Sequence, residues 1–536
     1  MTANDFIRYP GIERVTLGAL SEYVDLSKAA DDAPGFLQRL QAGDPSLWGQ
    51  DPGTPELSDR LGWLNVHHES MAEIDELAEF AGSLVGRFDR VVLCGMGGSG
   101  LAAQVEFAVL GGGSGYPVLY LLDSSHPAAV ESAVKEVAPH RILFVISSKS
   151  GTTLETISLL KRFWADSAGN GSQFIAITDP GTDLAAFSNE NNFLRTFLAP
   201  NEVGGRYSAL SCFGIVPATL AGCDTRSLLE AAARVDVTLQ SSDSLAISAA
   251  VFGRMLGECA KSGKNKLSLL LGGGLDTFGL WLEQLVAEST GKDGQGVLPV
   301  VERAPRNVSD YGQDRFFVSI GLAHKRTKEE SEFLDKVIGV GHPVVEIELD
   351  SATDLGAQFL WWEIATAATC AVLGVNPFNQ PNVSEGKKNT ATVLDGRPAS
   401  VADASRAELE EFVSARSPGE YLAILAFLEP RADTENTLNA LAAAGRRLGI
   451  AVPVSYGPRY LHSTGQLHKG GPSEGRFVQI VDTPDRDLKV PAETFSFGDL
   501  IRAQADGDYM ALQERDLPII RLPSLEPLID LFLNSS

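Results

Sequence analysis

The chain has 536 residues, 44% of them hydrophobic and 21% charged. These values are close to the average for soluble globular proteins, so extensive disorder is excluded and the length requires more than one hydrophobic core. A formal net charge of −25, with no block of Lys or Arg, argues against nucleic acid as a partner, and five cysteines without a C-x-x-C pair or zinc-type spacing suit a reducing cytoplasm.

The N-terminus carries Asp5, Arg8, Glu13 and Arg14 without an uninterrupted apolar stretch, unlike a secretory leader. Turn clusters at DDAPG and QDPGTPE precede a helical pattern through Trp63, Leu64, Met71, Ile74 and Leu77, which predicts a helical extension over residues 1–75. From Arg90 the texture changes to short β-rich runs, each followed by a longer helical stretch: RVVLCGMGG, YPVLYLLD, RILFVISS and QFIAITD. That alternation predicts a parallel sheet with crossover helices, a first α/β domain over 76–240.

A second series opens with LSLLLGGG near Leu267, continues through FFVSIGL and PVVEIELD, and closes in an apolar run at 359–375, giving a second α/β domain over 241–400. The closing run contains Glu363 and falls short of the ~20 apolar residues of a membrane span. It predicts a buried helix and no membrane association. Beyond a polar stretch near GRPAS, the runs YLAILAFLE, TENTLNALAAAGRRLG, AVPVSYG and RFVQIVD predict a further strand–helix–strand unit over 401–536 that completes the second lobe.

Several segments carry chemistry. VVLCGMGGSGLA places glycines, Gly98 among them, and Ser99 between a strand and a helix, where backbone amides attract an anion. Its spacing departs from the G-x-G-x-x-G of a dinucleotide turn, so no nucleotide cofactor is expected. VISSKSGTTLET gathers Ser147, Ser148, Lys149, Ser150, Thr152 and Thr153 at another strand end. Hydroxyls, a lysine and free N–H groups at a helix start are suited to the oxygens of a phosphate monoester, and the competing explanation is a Ser/Thr-rich helix cap on a surface loop. NEVGGRYSALS sets Arg206 behind paired glycines, where a guanidinium closely approaches a ligand. WLEQLVAESTGKDGQG ends an apolar helix at Glu288, a carboxylate that partial burial would make a useful base. LGVNPFNQPNVSEGKKNT offers Gln380, Lys387 and Lys388. RYLHSTGQLHKGG holds His462 and His468, whose separation of six positions puts them on different helical faces and speaks against a metal pair.

Together these segments resemble the phosphoglucose isomerase family, built from two sugar isomerase (SIS) domains, over roughly residues 60 to 395 and a piece near 460. The resemblance implies two doubly wound parallel-sheet domains and the isomerisation of glucose 6-phosphate to fructose 6-phosphate without metal or other cofactor. It assigns sugar contact to Gly98 and Ser99, phosphate binding to Ser148, Lys149, Ser150 and Thr153, and the catalytic base to Glu288. Arg206 lies in the family's GGRYS signature, and Gln380 and Lys387 keep the family's spacing of seven positions, although Asn382 and Ser384 stand where glycine and glutamate are usual. The family's ring-opening histidine, which lies between the glutamate and the lysine, has no counterpart there. L-H-S-x-G-Q appears downstream instead, at Leu461, His462, Ser463, Gly465 and Gln466. This order is similar to the isomerase half of bifunctional transaldolase/glucose-6-phosphate isomerase proteins, and no segment resembles a transaldolase barrel.

The resemblance therefore gives catalytic roles to Glu288, His462, Lys387 and Arg206, a sugar phosphate as substrate, and a possible homodimer, since sites of this family are completed across one. His462 is expected in the first turn of a helix, facing the pocket of Glu288 and Arg206, with His468 out of reach. The alternatives are a non-catalytic sugar-phosphate sensor, which needs only the phosphate loop, and an isomerase that also accepts mannose 6-phosphate.

Overall fold

The computed structural model describes residues 6–9, 12–16, 20, 22–235, 237, 244–303, 307–396 and 401–534. Asp5, and most of the polar stretch GRPAS at 397–400, lie outside the described residues.

The N-terminal extension does not begin as the predicted helix. β1 (Phe6–Tyr9) and β2 (Ile12–Thr16) form an antiparallel hairpin, and helices follow at Leu26–Gln41 and Val66–Ser83. Strands of four and five residues around Pro10 are too short to set up a readable alternation, and they form because they have an edge to pair with. The Thr16 hydroxyl ties β2 to that edge, accepting from Val344 N at 2.9 Å and donating to Val344 O at 3.2 Å.

β3 (Arg90–Cys94), β4 (Val118–Leu122), β5 (Ile142–Ser147), β6 (Phe174–Thr178) and β7 (Arg195–Leu198) make a wholly parallel sheet in the order β4-β3-β5-β6-β7. Every residue of β5 and β6 is buried, which is why these runs are continuously apolar rather than alternating. From β3 the chain goes to β4 on one side and later to β5 on the other. Such a switch point opens a crevice at the carboxyl end of β3, where Gly95–Ser99 lie in the chain.

β8 (Lys266–Leu271), β9 (Leu298–Val301), β10 (Arg315–Leu322) and β11 (Val344–Leu349) are parallel, and the N-terminal hairpin extends them to a six-stranded sheet, β1-β2-β11-β10-β8-β9. The apolar run expected as a buried helix is the helix Leu355–Leu373, almost wholly enclosed, with Gly253 packed so closely on it that a Cβ would lie 2.1 Å from Ala365 O. No described helix is long and apolar enough to cross a membrane.

The C-terminal segment does not add strands to the second lobe. β12 (Tyr421–Phe427), β13 (Val454–Tyr456), β14 (Gly475–Val481) and β15 (Ile519–Leu522) form a separate parallel sheet, β13-β12-β14-β15. The later strands pair among themselves, and none of them pairs with β9 or β1 at the edges of the second sheet. They meet the second lobe through side chains, where Tyr421, Leu467 and Phe477 share a core with Ala287, Leu298 and Val300.

Candidate active site

Two glycines fix the centre of the site. A Cβ on Gly98 would lie 1.9 Å from the carbonyl oxygen of Gly205, so the turn after β3 touches the backbone just before Arg206. Gly97 has φ +52°, and a Cβ there would lie 2.6 Å from Gln284 Nε2 and 2.8 Å from His462 O. Only glycines allow this approach. Four distant segments of sequence therefore meet at one backbone corner.

Glu288 is near the end of the helix Phe278–Thr290 and is 4% exposed. One turn earlier, Gln284 points along the same face, and its Nε2 donates both to Glu288 Oε2 at 3.1 Å and to His462 O at 2.8 Å. Arg206, 5% exposed, places Nε 3.5 Å from Glu288 Oε2. Its Nη1 donates to Glu288 O at 3.1 Å and Pro377 O at 3.2 Å, and its Nη2 to Phe378 O at 3.0 Å and Asn379 O at 3.2 Å. The guanidinium is thus a fixed positive charge held by backbone dipoles, a role that its planar fork fills and an ammonium does not. Beneath it, Lys292 donates to Asn376 O and secures the same loop; burial, then the neighbouring Arg206 charge, push its pKa down to about 7.

His462 ends the 3-10 turn Arg459–His462, and the following helix starts only at Gly465. The expected placement in a helix's first turn is therefore corrected, because Ser463, with ψ −96°, breaks the helical path. The segment does return to the Glu288 helix through Gln284. The His462 ring itself meets a different carboxylate, with Nε2 2.9 Å from Glu155 Oε1. Glu155 is in the first turn of the helix Leu154–Asp166, which follows the hydroxyl-rich loop. Burial alone would raise its pKa, but the His462 ring and, at longer range, Lys387 hold it below the usual value. Lys387 is exposed on the helix Val383–Leu394, and its charge is felt at Glu155.

The segments bearing Lys387 and His462 are clipped together. Asn382 N donates to Gln466 Oε1 at 3.0 Å, while Gln466 Nε2 donates to Asn382 Oδ1 at 2.7 Å and Gly291 O at 2.9 Å. Asn382, a departure from the family pattern, is thus the partner of Gln466 in the displaced L-H-S-x-G-Q. Gln380 is exposed in the loop after Asn379.

In the loop after β5, Ser148 Oγ lies 3.0 Å from Thr153 Oγ1, and Thr153 leaves the first turn of its helix without a side-chain cap. Ser150 is exposed and pairs with Thr152, Gly151 supplies φ +66° for the turn, and Ser99 is half-buried at the glycine corner. Lys149 is the member least free for a ligand, since its Nζ is 2.6 Å from Asp179 Oδ2. His468 is excluded from the site. It is 4% exposed, bonded to Tyr421 Oη at 2.9 Å, packed against Phe477, and kept neutral by burial, which takes its pKa down to about 3.

Sequence reasoning missed Glu155, Gln284 and Lys292. Gln284 had a signal, its i−4 spacing from Glu288. Glu155 had a weaker one, a carboxylate in the first turn of an amphipathic helix, on the face that also carries apolar residues. Among the described residues no His, Cys, Asp and Glu side chains cluster as a metal site would. A separate cleft of about 680 Å³, lined by Gln104, Thr277, Glu283, Arg303 and Tyr456, contains none of the predicted site residues.

A glucose-6-phosphate isomerase of Rubrobacter xylanophilus is 28% identical over 412 residues, covering 67% of this chain and 93% of that protein. A probable glucose-6-phosphate isomerase of Methanococcus maripaludis is 26% identical over 384 residues, 64% of this chain and 86% of its own length. In fold, the chain is similar to the glucose-6-phosphate isomerase of Chlamydia trachomatis, with a TM-score of 0.56 at 18% identity over 76% of this chain and 92% of that one. It is also similar to a hypothetical protein from Thermus thermophilus, with a TM-score of 0.60 at 23% identity over 72% and 100%. The phosphoglucose isomerase family model matches residues 64–308, a stretch that includes Gly98, the hydroxyl-rich loop, Arg206 and Glu288 and stops before Lys387 and His462. Across that stretch the chain is similar to the phosphoglucose isomerase family, and the named relatives extend the similarity to about two thirds of its length.

Proposed function

We propose that the chain interconverts glucose 6-phosphate and fructose 6-phosphate through a cis-enediolate, in a site made from one chain. The observation that carries this reading is the convergence of Glu288, Arg206 and His462, from three separate segments, on the corner at Gly97 and Gly98. A sugar-phosphate sensor needs only the loop from Ser148 to Thr153 and has no use for a buried carboxylate beside a fixed guanidinium. The relatives named as glucose-6-phosphate isomerases support the same substrate pair.

In this mechanism the amides and hydroxyls of Ser148, Ser150 and Thr153 hold the phosphate, with Lys149 contributing charge, while Gly98 and Ser99 border the sugar and Gln380 closes over it. His462, its ring held by Glu155, works with Lys387 to move a proton between the ring oxygen and O1, which opens the pyranose. Glu288 then takes the proton from C2 and returns it to C1. Negative charge builds on the enediolate oxygens as it does so, and Arg206, already oriented by four carbonyl groups, stabilises that charge without reorganising. Proton transfers alone complete the reaction.

The family resemblance implies completion of the site across a dimer. Here His462 follows Lys387 in the same chain and reaches Gln284 and Glu155 of that chain, so a partner subunit need supply nothing. If a base on the protein carries the proton, fructose 6-phosphate incubated with the chain in deuterium oxide will yield glucose 6-phosphate labelled at C2, read by proton NMR. Glu288 returns some of the same proton before it exchanges, so incorporation per turnover is partial; product that still carries no deuterium after prolonged cycling between the two sugar phosphates would point to direct hydride transfer and overturn the enediolate reading.

A further inference from the structure

We propose that Gln504 is a positioning residue for His462, the middle link of a buried chain running Ser125–Gln504–Glu155–His462. Gln504 is on the helix Phe497–Gln513, outside the stretch that matches the family, and is 3% exposed. Its Oε1 accepts from Ser125 Oγ at 2.6 Å, an oxygen that is itself fully buried. An ionised carboxylate only accepts, so the amide turns Nε2 toward Glu155 Oε1, 2.6 Å away, and leaves Oε1 to accept from the Ser125 hydroxyl, which donates or accepts as its partner requires. The same carboxylate oxygen lies 2.9 Å from His462 Nε2.

The chemistry of each link explains why a glutamine suits this position. Glu155 is 5% exposed, and a buried carboxylate tends to take up a proton. A protonated Glu155 would no longer anchor an imidazole N–H. Gln504 supplies an N–H donor that favours the ionised carboxylate, yet carries no charge that would draw Glu155 away from His462. An ionised Glu155 then accepts the proton-bearing Nε2 of His462, and Nδ1 is the ring nitrogen left for exchange with the sugar.

The same helix secures the backbone on both sides of His462. Asp508 accepts from Tyr460 Oη at 2.5 Å and pairs with Lys469 Nζ at 2.5 Å, so one helix holds the ring through Gln504 and the turn through Asp508. It also packs against the helix of Lys387, where a Cβ on Gly507 would lie 2.7 Å from Thr390 N.

The inference rests on the reading that His462 opens the sugar ring, and the test separates the two. Gln504→Leu and Ser125→Ala are made in the full chain, with circular dichroism and melting curves confirming the fold. Gln504→Leu should lower kcat on cyclic glucose 6-phosphate about tenfold or more, the scale of a lost hydrogen bond to a charged group, with KM within about twofold. Turnover of an open-chain aldose phosphate should change little. In a Glu155→Gln background the substitution should add nothing, because its effect passes through Glu155. Ser125→Ala should shift the same ratio in the same direction by less, and it carries the test if Gln504→Leu does not fold. Equal losses on both substrates, an additive effect with Glu155→Gln, or wild-type kinetics in the folded variant would overturn the inference. Absence of isomerase activity in the unsubstituted chain would overturn the underlying reading instead.

Discussion

Glu288→Gln is expected to abolish measurable turnover while leaving fructose 6-phosphate binding within a few fold of the unsubstituted chain. The amide keeps the volume of the carboxylate at a site that is 4% exposed, and the polar groups of Gln284 and Arg206 remain beside it. What disappears is the group that accepts the C2 proton in the proposed mechanism. General acid–base residues contribute about 10²–10⁴ in rate, and the loss here should reach the upper end, because the other carboxylate of the site, Glu155, is committed to His462 and Gln504. Titration calorimetry with fructose 6-phosphate, alongside a coupled assay, distinguishes a lost base from a lost site. Near-normal turnover in the purified variant would remove Glu288 from the mechanism.

The second large effect belongs to His462, and its sharpest form compares two histidines. His462→Ala should depress turnover of cyclic glucose 6-phosphate by about 10²-fold, the lower range for a general acid–base group, and should spare an open-chain aldose phosphate that needs no ring opening. His468→Ala should give the reverse profile. That ring touches Tyr421 and Phe477 in the core, so its removal should cost stability, about 2–4 kcal/mol as for other buried truncations, with kcat of the folded protein nearly unchanged. Equal impairment of His462→Ala on both substrates would mean that it does something other than open the ring. Wild-type activity would leave ring opening to solvent or to another histidine of the second lobe, His324 or His342. Of these, His342 is 1% exposed and lies against Phe317, a poor place from which to reach a sugar.

Much of the candidate site was legible because its motifs are local. The glycines at 97 and 98, the hydroxyl-rich loop and the Gly-Gly-Arg turn each stand at a strand end or between lobes, and their residue types state their chemistry. The alternation of β-rich and helical runs likewise gave the two parallel sheets. What local pattern did not carry was partnership over distance. Gln504 and Glu155 are 349 residues apart in sequence, and nothing in either neighbourhood indicates the other. The pairing of Asn382 with Gln466 was hidden the same way, although both residues sit inside recognised motifs and one of them looked like a simple departure from the family. The N-terminal hairpin escaped for a different reason, since strands of four and five residues depend on the edge of β11 rather than on their own periodicity. The C-terminal strands were readable as strands, but which sheet a parallel strand joins is a property of the assembled fold.

The central claim, that one chain by itself holds a complete glucose 6-phosphate isomerase site, is tested most directly by a dilution series. Conversion of fructose 6-phosphate to glucose 6-phosphate is followed in a coupled assay while the chain is diluted from micromolar to subnanomolar, with its mass measured at each accessible concentration. Glu155, Arg206, Glu288, Lys387 and His462 belong to the same chain, and His462 meets Glu155 within it, so specific activity should stay constant across the series and persist where only monomer is present. Formation of no glucose 6-phosphate at any concentration, or a specific activity that falls in step with dissociation of a dimer, would contradict it.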